Sequence, residues 1–110
     1  MPRLTVPEYL PTKMGAAIDI FGSKARSGIL FFLIENEPAY AADIASALGA
    51  SKISTWKHLN AMEEEGVIVS DTPQGQRRGR PPRYSRNPAK ILDLLSAVAD
   101  LARQDRPDER

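Results

Sequence analysis

The chain has no cysteine and a single histidine, His58. These absences exclude a disulfide scaffold, thiolate metal sites and thiol nucleophiles, and they fit a reducing cytoplasm. The longest apolar run, GILFFLI, is far short of the roughly 20 residues that cross a bilayer as a helix. The N-terminal MPRLTVPEYLPTKMG contains three prolines and lacks the apolar core of a signal peptide. The expectation is a cytoplasmic protein with no membrane association. Charge of one sign is also missing in bulk, since the net charge is only +1. The carboxylates Asp19, Asp43 and Asp93 are scattered, and no dyad, nucleophile–base pair or phosphate-binding glycine loop is present. Catalysis is therefore not expected, and no cofactor is implied.

The 110 residues are 42% hydrophobic and 26% charged, enough for one small globular core. The basic charge is local. Residues 51–90 hold eight Lys/Arg against four Asp/Glu, whereas residues 1–50 hold four against five and residues 91–110 three against five. A local basic excess of this kind suits a polyanionic partner. Its densest part is QGQRRGRPPRYSR, residues 74–86, with five arginines and no acid.

Pro2, Pro7 and Pro11 disfavour helix at the residues before them, which predicts an extended arm over 1–13. Helices are expected at 14–21 and 24–36, the second with Ser23 as N-cap. Ile29, Leu30, Phe32, Leu33 and Ile34 make that second helix apolar nearly all round, as in a buried central helix. Tyr40 to Leu48 reads as a short amphipathic helix ended by Gly49. Ser51 can cap the next, 52–65, on which Thr55, His58, Leu59 and Met62 form one stripe. Val67, Ile68 and Val69 read as a strand, and 83–86 as its returning partner, so the arginine-rich stretch becomes the tip of a hairpin. Ser85 or Asn87 can cap a last helix, 88–103, with Pro88 in its first turn. The tail 104–110 is polar and predicted to be disordered. The fold class is mainly α with a small β-hairpin.

The order helix, turn, helix, strand, basic loop, strand carries a resemblance. Ile44, Ala45, Leu48 and Gly49 are followed by Ser51, Ser54, His58 and Leu59, then by Met62, Gly66, Val67 and Ile68. Gly79, Arg80, Pro81 and Tyr84 close the hairpin. Over about residues 24–86 this resembles the winged helix-turn-helix of ArsR/MarR-type bacterial transcription regulators. The resemblance implies a DNA-binding domain over 14–87, a C-terminal helix added at 88–103, and the third helix in the major groove. The candidate recognition residues are Ser51, Lys52, Ile53, Ser54, Trp56, Lys57 and Asn60. Lysines can reach phosphate or guanine, serine and asparagine can hydrogen-bond bases or phosphates, and Ile53 can touch a thymine methyl. Two environments are open to Trp56, a ring folded back on the second helix or arm and a ring against DNA. Glu63, Glu64 and Glu65 read as a solvated helix end pointing away from the groove. His58 is expected to be packed and hydrogen-bonded. One histidine without cysteine cannot supply the metal site that many ArsR relatives carry.

The candidate wing residues are Gln76, Arg77, Arg78, Gly79, Arg80 and Arg83, with the arginines on phosphate. RRGRP also resembles AT-hook peptides, which place arginine in a narrow minor groove. The face made by Ile91, Leu92, Leu94, Leu95, Val98 and Leu101 is too apolar for a lone surface helix. It implies a homodimer on a palindromic or near-palindromic double-stranded operator, and hence a repressor that covers a promoter. The alternative is that this helix packs only on helix 24–36 of its own chain. Two other functions stay open, a winged-helix module that binds an acidic protein and a plasmid or phage replication or partition protein.

Overall fold

A computed structural model describes residues 10–103; the arm over 1–9 and the tail over 104–110 lie outside them. Five helices and three short strands follow one another as α1 (Thr12–Phe21), α2 (Lys24–Asn36), β1 (Ala39–Tyr40), α3 (Ala41–Leu48), α4 (Lys52–Glu65), β2 (Ile68–Ser70), β3 (Arg83–Arg86) and α5 (Pro88–Arg103). Helix α1 begins directly after Pro11, two residues earlier than the proline pattern predicts. A proline restrains the residue before it and leaves those after it free to coil.

Local chemistry fixes the helix ends. Ser23 Oγ accepts from the Arg26 amide at 3.1 Å, and Ser51 Oγ accepts from the Ser54 amide at 3.0 Å. Gly49 closes α3 at φ 66°, a left-handed conformation that is costly for any residue with a Cβ. The Ala50 amide then bonds the Ala45 carbonyl at 3.0 Å, and the chain turns into α4. At the other end of α4, the Asn87 side-chain amide donates to the Gly66 carbonyl at 2.9 Å. This bond ties the start of α5 to the end of the third helix.

The core gathers Ala17 and Ile20 of α1, Ile29 and Leu33 of α2, Ile44 of α3, Leu59 and Met62 of α4, and Val67, Ile68, Tyr84 and Leu94. The sheet order is β1–β3–β2, antiparallel throughout. Ile68 pairs with Arg86 and Ser70 with Tyr84 on one side of β3, and Ala39 pairs with Tyr84 on the other. The hairpin follows the sequence reading, shifted by one residue in β2. Val67 stays out of the ladder because its amide closes α4 on the Met62 carbonyl at 3.1 Å. The strand β1 was not expected.

One expectation about packing needs correction. Helix α2 is not buried all round. Ile29 and Leu33 face the core, but Phe31 is 78% exposed and Ile34 is 49% exposed. Helix α5, for which packing on α2 alone is the alternative to an interface role, lies mainly on α1 of its own chain, with Lys13 Nζ on Asp93 Oδ1 at 2.9 Å at the rim.

Thr55 is the one buried hydroxyl among the described residues without a hydrogen-bond partner. It sits in the inner stripe of α4, where desolvating a hydroxyl is unfavourable. Thr55→Val is expected to raise stability by roughly 1 kcal/mol, read as a higher urea midpoint at unchanged slope. A lower midpoint would mean that the hydroxyl has a partner.

Candidate nucleic-acid interface

The inner stripe of α4, Thr55, Leu59 and Met62, is buried, so the opposite face is fixed outward. Ser51, Lys52, Ile53, Ser54, Trp56 and Lys57 are exposed at and just after the helix N-terminus, and Asn60 is half-buried further along. The unpaired amides of a helix start favour an anion there. The helix is also held from behind. Arg26 of α2 donates its Nε to His58 Nδ1 at 3.1 Å and its Nη1 to the Asp19 carbonyl at 3.2 Å. His58 is thus packed and hydrogen-bonded, as expected.

The Trp56 ring lies against the first turn of α3 and stays largely open to solvent. It lines an apolar groove with Ile53, the Lys52 stem and the first-turn residues Ala41 and Ala42 of α3, yet 54% of its surface is exposed. Ala41 and Ala42 carry the same surface on to Tyr40, Pro81 and Pro82, and Arg80 and Pro81 line its next concavity. The start of α4 and the far side of the wing are therefore parts of one continuous face.

The wing is two tight turns, not a flat ribbon. The Gln76 amide bonds the Pro73 carbonyl at 3.1 Å and the Arg80 amide bonds the Arg77 carbonyl at 2.9 Å. Gly79 is the third residue of the second turn at φ 70°, the positive φ that a type II turn requires there. Arg78 and Arg80 flank it. Both are exposed, and neither has an ion-pair partner among the described residues. Gln76 is exposed at the tip.

The remaining arginines of the hairpin behave differently. Arg77 is not aimed at solvent. Its Nη2 donates to Glu63 Oε2 at 2.7 Å and to Ser70 Oγ at 2.6 Å, its Nε donates to the Thr72 carbonyl at 2.8 Å, and its guanidinium lies 5.9 Å from the centroid of the buried Tyr84 ring. Arg77 pins the wing to α4 and is not a free phosphate ligand. Glu63 is correspondingly not a solvated end residue, because it accepts from Arg77, Ser70 and Gln74. Arg83 donates its amide to Asp71 Oδ1 at 2.9 Å and its Nε to Oδ2 at 2.8 Å, which partly neutralises it. Arg86 forks onto Glu37, with Nη2 to Oε2 at 2.9 Å. This pair joins β3 to the end of α2, and Arg86 lowers the Glu37 pKa, mainly by side-chain hydrogen bonding.

Sequence reasoning missed Glu63, Asp71 and Glu37 as the groups that select which arginines stay free. The Arg83 amide, and then its guanidinium, hold the Asp71 carboxyl down at about 2 from 3.8. A depressed carboxyl stabilises the folded form above its unfolded pKa and ceases to do so as pH falls through the folded one. The Asp71–Arg83 clasp is therefore expected to hold at pH 4 and open only near pH 2. Carboxyl NMR titration of Asp71 checks this, and a midpoint near 3.8 would contradict it.

Residues 23–69 match the family model described as winged helix-turn-helix DNA-binding. Comparison with curated proteins gives no match. Among solved structures, an ArsR family transcriptional regulator superposes with a TM-score of 0.66 at 17% identity, covering 86% of this chain and 99% of its own. NolR from Sinorhizobium fredii gives 0.61 at 17% identity, covering 92% and 96%. The MepR–DNA complex of S. aureus gives 0.55 at 16% identity, covering 84% and 77%. At these identities the likeness is one of fold, and it agrees with the fold class read from the sequence. The matched model describes a DNA-binding module. The chain has the winged helix-turn-helix fold, in the form seen in ArsR-type transcriptional regulators.

Proposed function

We propose that this protein is a sequence-specific DNA-binding transcriptional regulator, acting as a repressor. Helix α4 enters the major groove through Lys52, Ile53, Ser54, Trp56, Lys57 and Asn60, with Ser51 and the helix N-terminus against phosphate. The wing follows the flanking backbone or minor groove through Arg78 and Arg80. One observation carries the reading. Lys52, Lys57, Arg78 and Arg80 are exposed and unpaired among the described residues, whereas Arg77, Arg83 and Arg86 are held by carboxylates. Carboxylates thus hold three of the hairpin's arginines, while four free cations lie on the face that would meet a polyanion, beside the exposed carboxylate of Asp43.

The regulator works as a homodimer on a palindromic or near-palindromic operator, with two α4 helices related by a two-fold axis. Support comes from apolar surface left over once α1 and α5 have packed together. Leu92, Leu95 and Leu101 are 66%, 41% and 73% exposed, and Ile18 of α1 is 51% exposed. The interface set narrows accordingly. Leu94 is 1% exposed and belongs to the chain's own core, and Ile91 and Val98 pack against that core. Leu94 therefore serves the interface only by holding α5 in place, while the partly buried Ile91 and Val98 keep some surface for it.

Selection of bound duplexes from a random pool, followed by salt-titrated gel shifts, tests the proposal. The expected result is a two-fold-related consensus whose affinity falls steeply with salt. A protein that retains no duplex at low salt would instead be a winged-helix module for an acidic partner.

A further inference from the structure

The candidate DNA-facing end of α4 is unusual in being apolar at its centre. Ile53 is 71% exposed and Trp56 54% exposed. They lie three residues apart, so their side chains are neighbours on one helix face. With Ala41, Ala42 and the Lys52 stem they line an apolar groove. Cations border this patch, with Lys52 four residues before Trp56 and Lys57 four residues after Ile53. The patch is also continuous, through Ala41 and Ala42, with the wing surface that carries Arg80. An apolar patch framed by unpaired cations and a helix N-terminus matches an occupant with an apolar group set between anionic rails. In the major groove that group is the C5-methyl of thymine, the one apolar substituent that projects from a standard base edge there.

We infer that Ile53 and Trp56 form a methyl-reading site that requires thymine, recognised by its C5-methyl group, in each half-site. The inference rests on the DNA-binding reading above and deepens it by naming the base chemistry. Ile53 and the Trp56 ring cover the methyl, while Ala41 and Ala42 are small enough to let the base edge approach. Lys57, outside the groove lining, contributes affinity through phosphate and no discrimination between thymine and its demethylated form.

The test replaces thymine by deoxyuridine, one position at a time, in a duplex recovered from the random-pool selection. This removes the C5-methyl and leaves every hydrogen-bonding group in place. For the wild-type protein each substitution under α4 is expected to weaken binding about 4-fold per methyl covered, while substitutions elsewhere leave affinity unchanged. Trp56→Ala and Ile53→Ala are expected to bind the two duplexes alike. Lys57→Ala, which leaves the groove lining intact, is expected to weaken both by the same factor. Trp56 is the single tryptophan, so its emission should change when the wild-type protein binds the thymine duplex, a readout that needs no variant. Equal affinity of the wild-type protein for both duplexes overturns the inference while leaving DNA binding intact. Discrimination that survives in both alanine variants overturns it as well. Failure to retain any duplex at low salt overturns the DNA-binding reading itself.

Discussion

Arg77→Ala is expected to lower folding stability by about 2–3 kcal/mol and the melting temperature by roughly 10 °C or more. The reason lies in what the substitution leaves behind. The Arg77 and Glu63 side chains are only 16% and 18% exposed, so removing the guanidinium strands a carboxylate in a site that water reaches poorly. Breaking such a pair is worse than never having built it, because one charge stays desolvated without its partner. The Ser70 hydroxyl and Thr72 carbonyl lose a donor at the same time, and the Tyr84 ring loses the cation on its face. The double change Arg77→Met with Glu63→Met separates these effects. It is expected to recover more than half of the loss, since no charge is then stranded. Thermal melts followed by circular dichroism check both. An Arg77→Ala protein with wild-type melting would mean that the wing is not anchored through this residue.

The contrast between Arg77 and its neighbour Arg78 also marks where the sequence stops being informative. The two are adjacent, identical and surrounded by the same loop-forming residues. Only tertiary structure distinguishes them, because the partner of Arg77 lies fourteen residues earlier and looks like any of three consecutive glutamates. The same limit explains β1. Ala39–Tyr40 is too short to show an alternating pattern, and it exists as a strand because Tyr84 and Arg83 pair with it from far along the chain. Helix α5 is a third case. Its 3.6-residue pattern marks its apolar face correctly, but a pattern does not say how much of that face α1 covers. Leu94 goes inside while Leu92 and Leu95 stay out. By contrast, features set by local chemistry were legible. Ser23, Gly49 and Ser51 place the ends of α2, α3 and α4 where the structure has them, because a cap depends on residues within four positions of itself. The outward face of α4 was legible for a related reason, since the stripe Thr55, Leu59, Met62 leaves Lys52, Ile53 and Trp56 nowhere else to go.

Arg80→Ala is expected to weaken DNA binding about 10-fold at moderate salt and to reduce the slope of log affinity against log salt by about 1. Melting should be unchanged, since the Arg80 side chain makes no hydrogen bond or ion pair among the described residues. Arg78→Ala should behave in the same way, and the pair together should cost about 2 in slope. Arg83→Ala should cost less in slope, because Asp71 already holds part of its charge, and it should also loosen the hairpin. Ranking the three by slope therefore reads out which arginines the carboxylates leave free. The position of Arg80 on the DNA follows from a second comparison. Arg80 is the last residue of a tight turn ahead of Pro81 and Pro82, which extend the chain away from it. If its guanidinium enters a narrow minor groove, replacing an A·T-rich flank by G·C should weaken the wild-type protein and leave Arg80→Ala indifferent. If it stops at phosphate, both proteins should respond to the flank alike while the difference in salt slope persists. The turn at Gly79 favours entry, because it places Arg80 at the tip with no carboxylate among the described residues to hold it back. The flank comparison is expected to show A·T preference in the wild-type protein alone, and an equal response in both would assign Arg80 to the backbone.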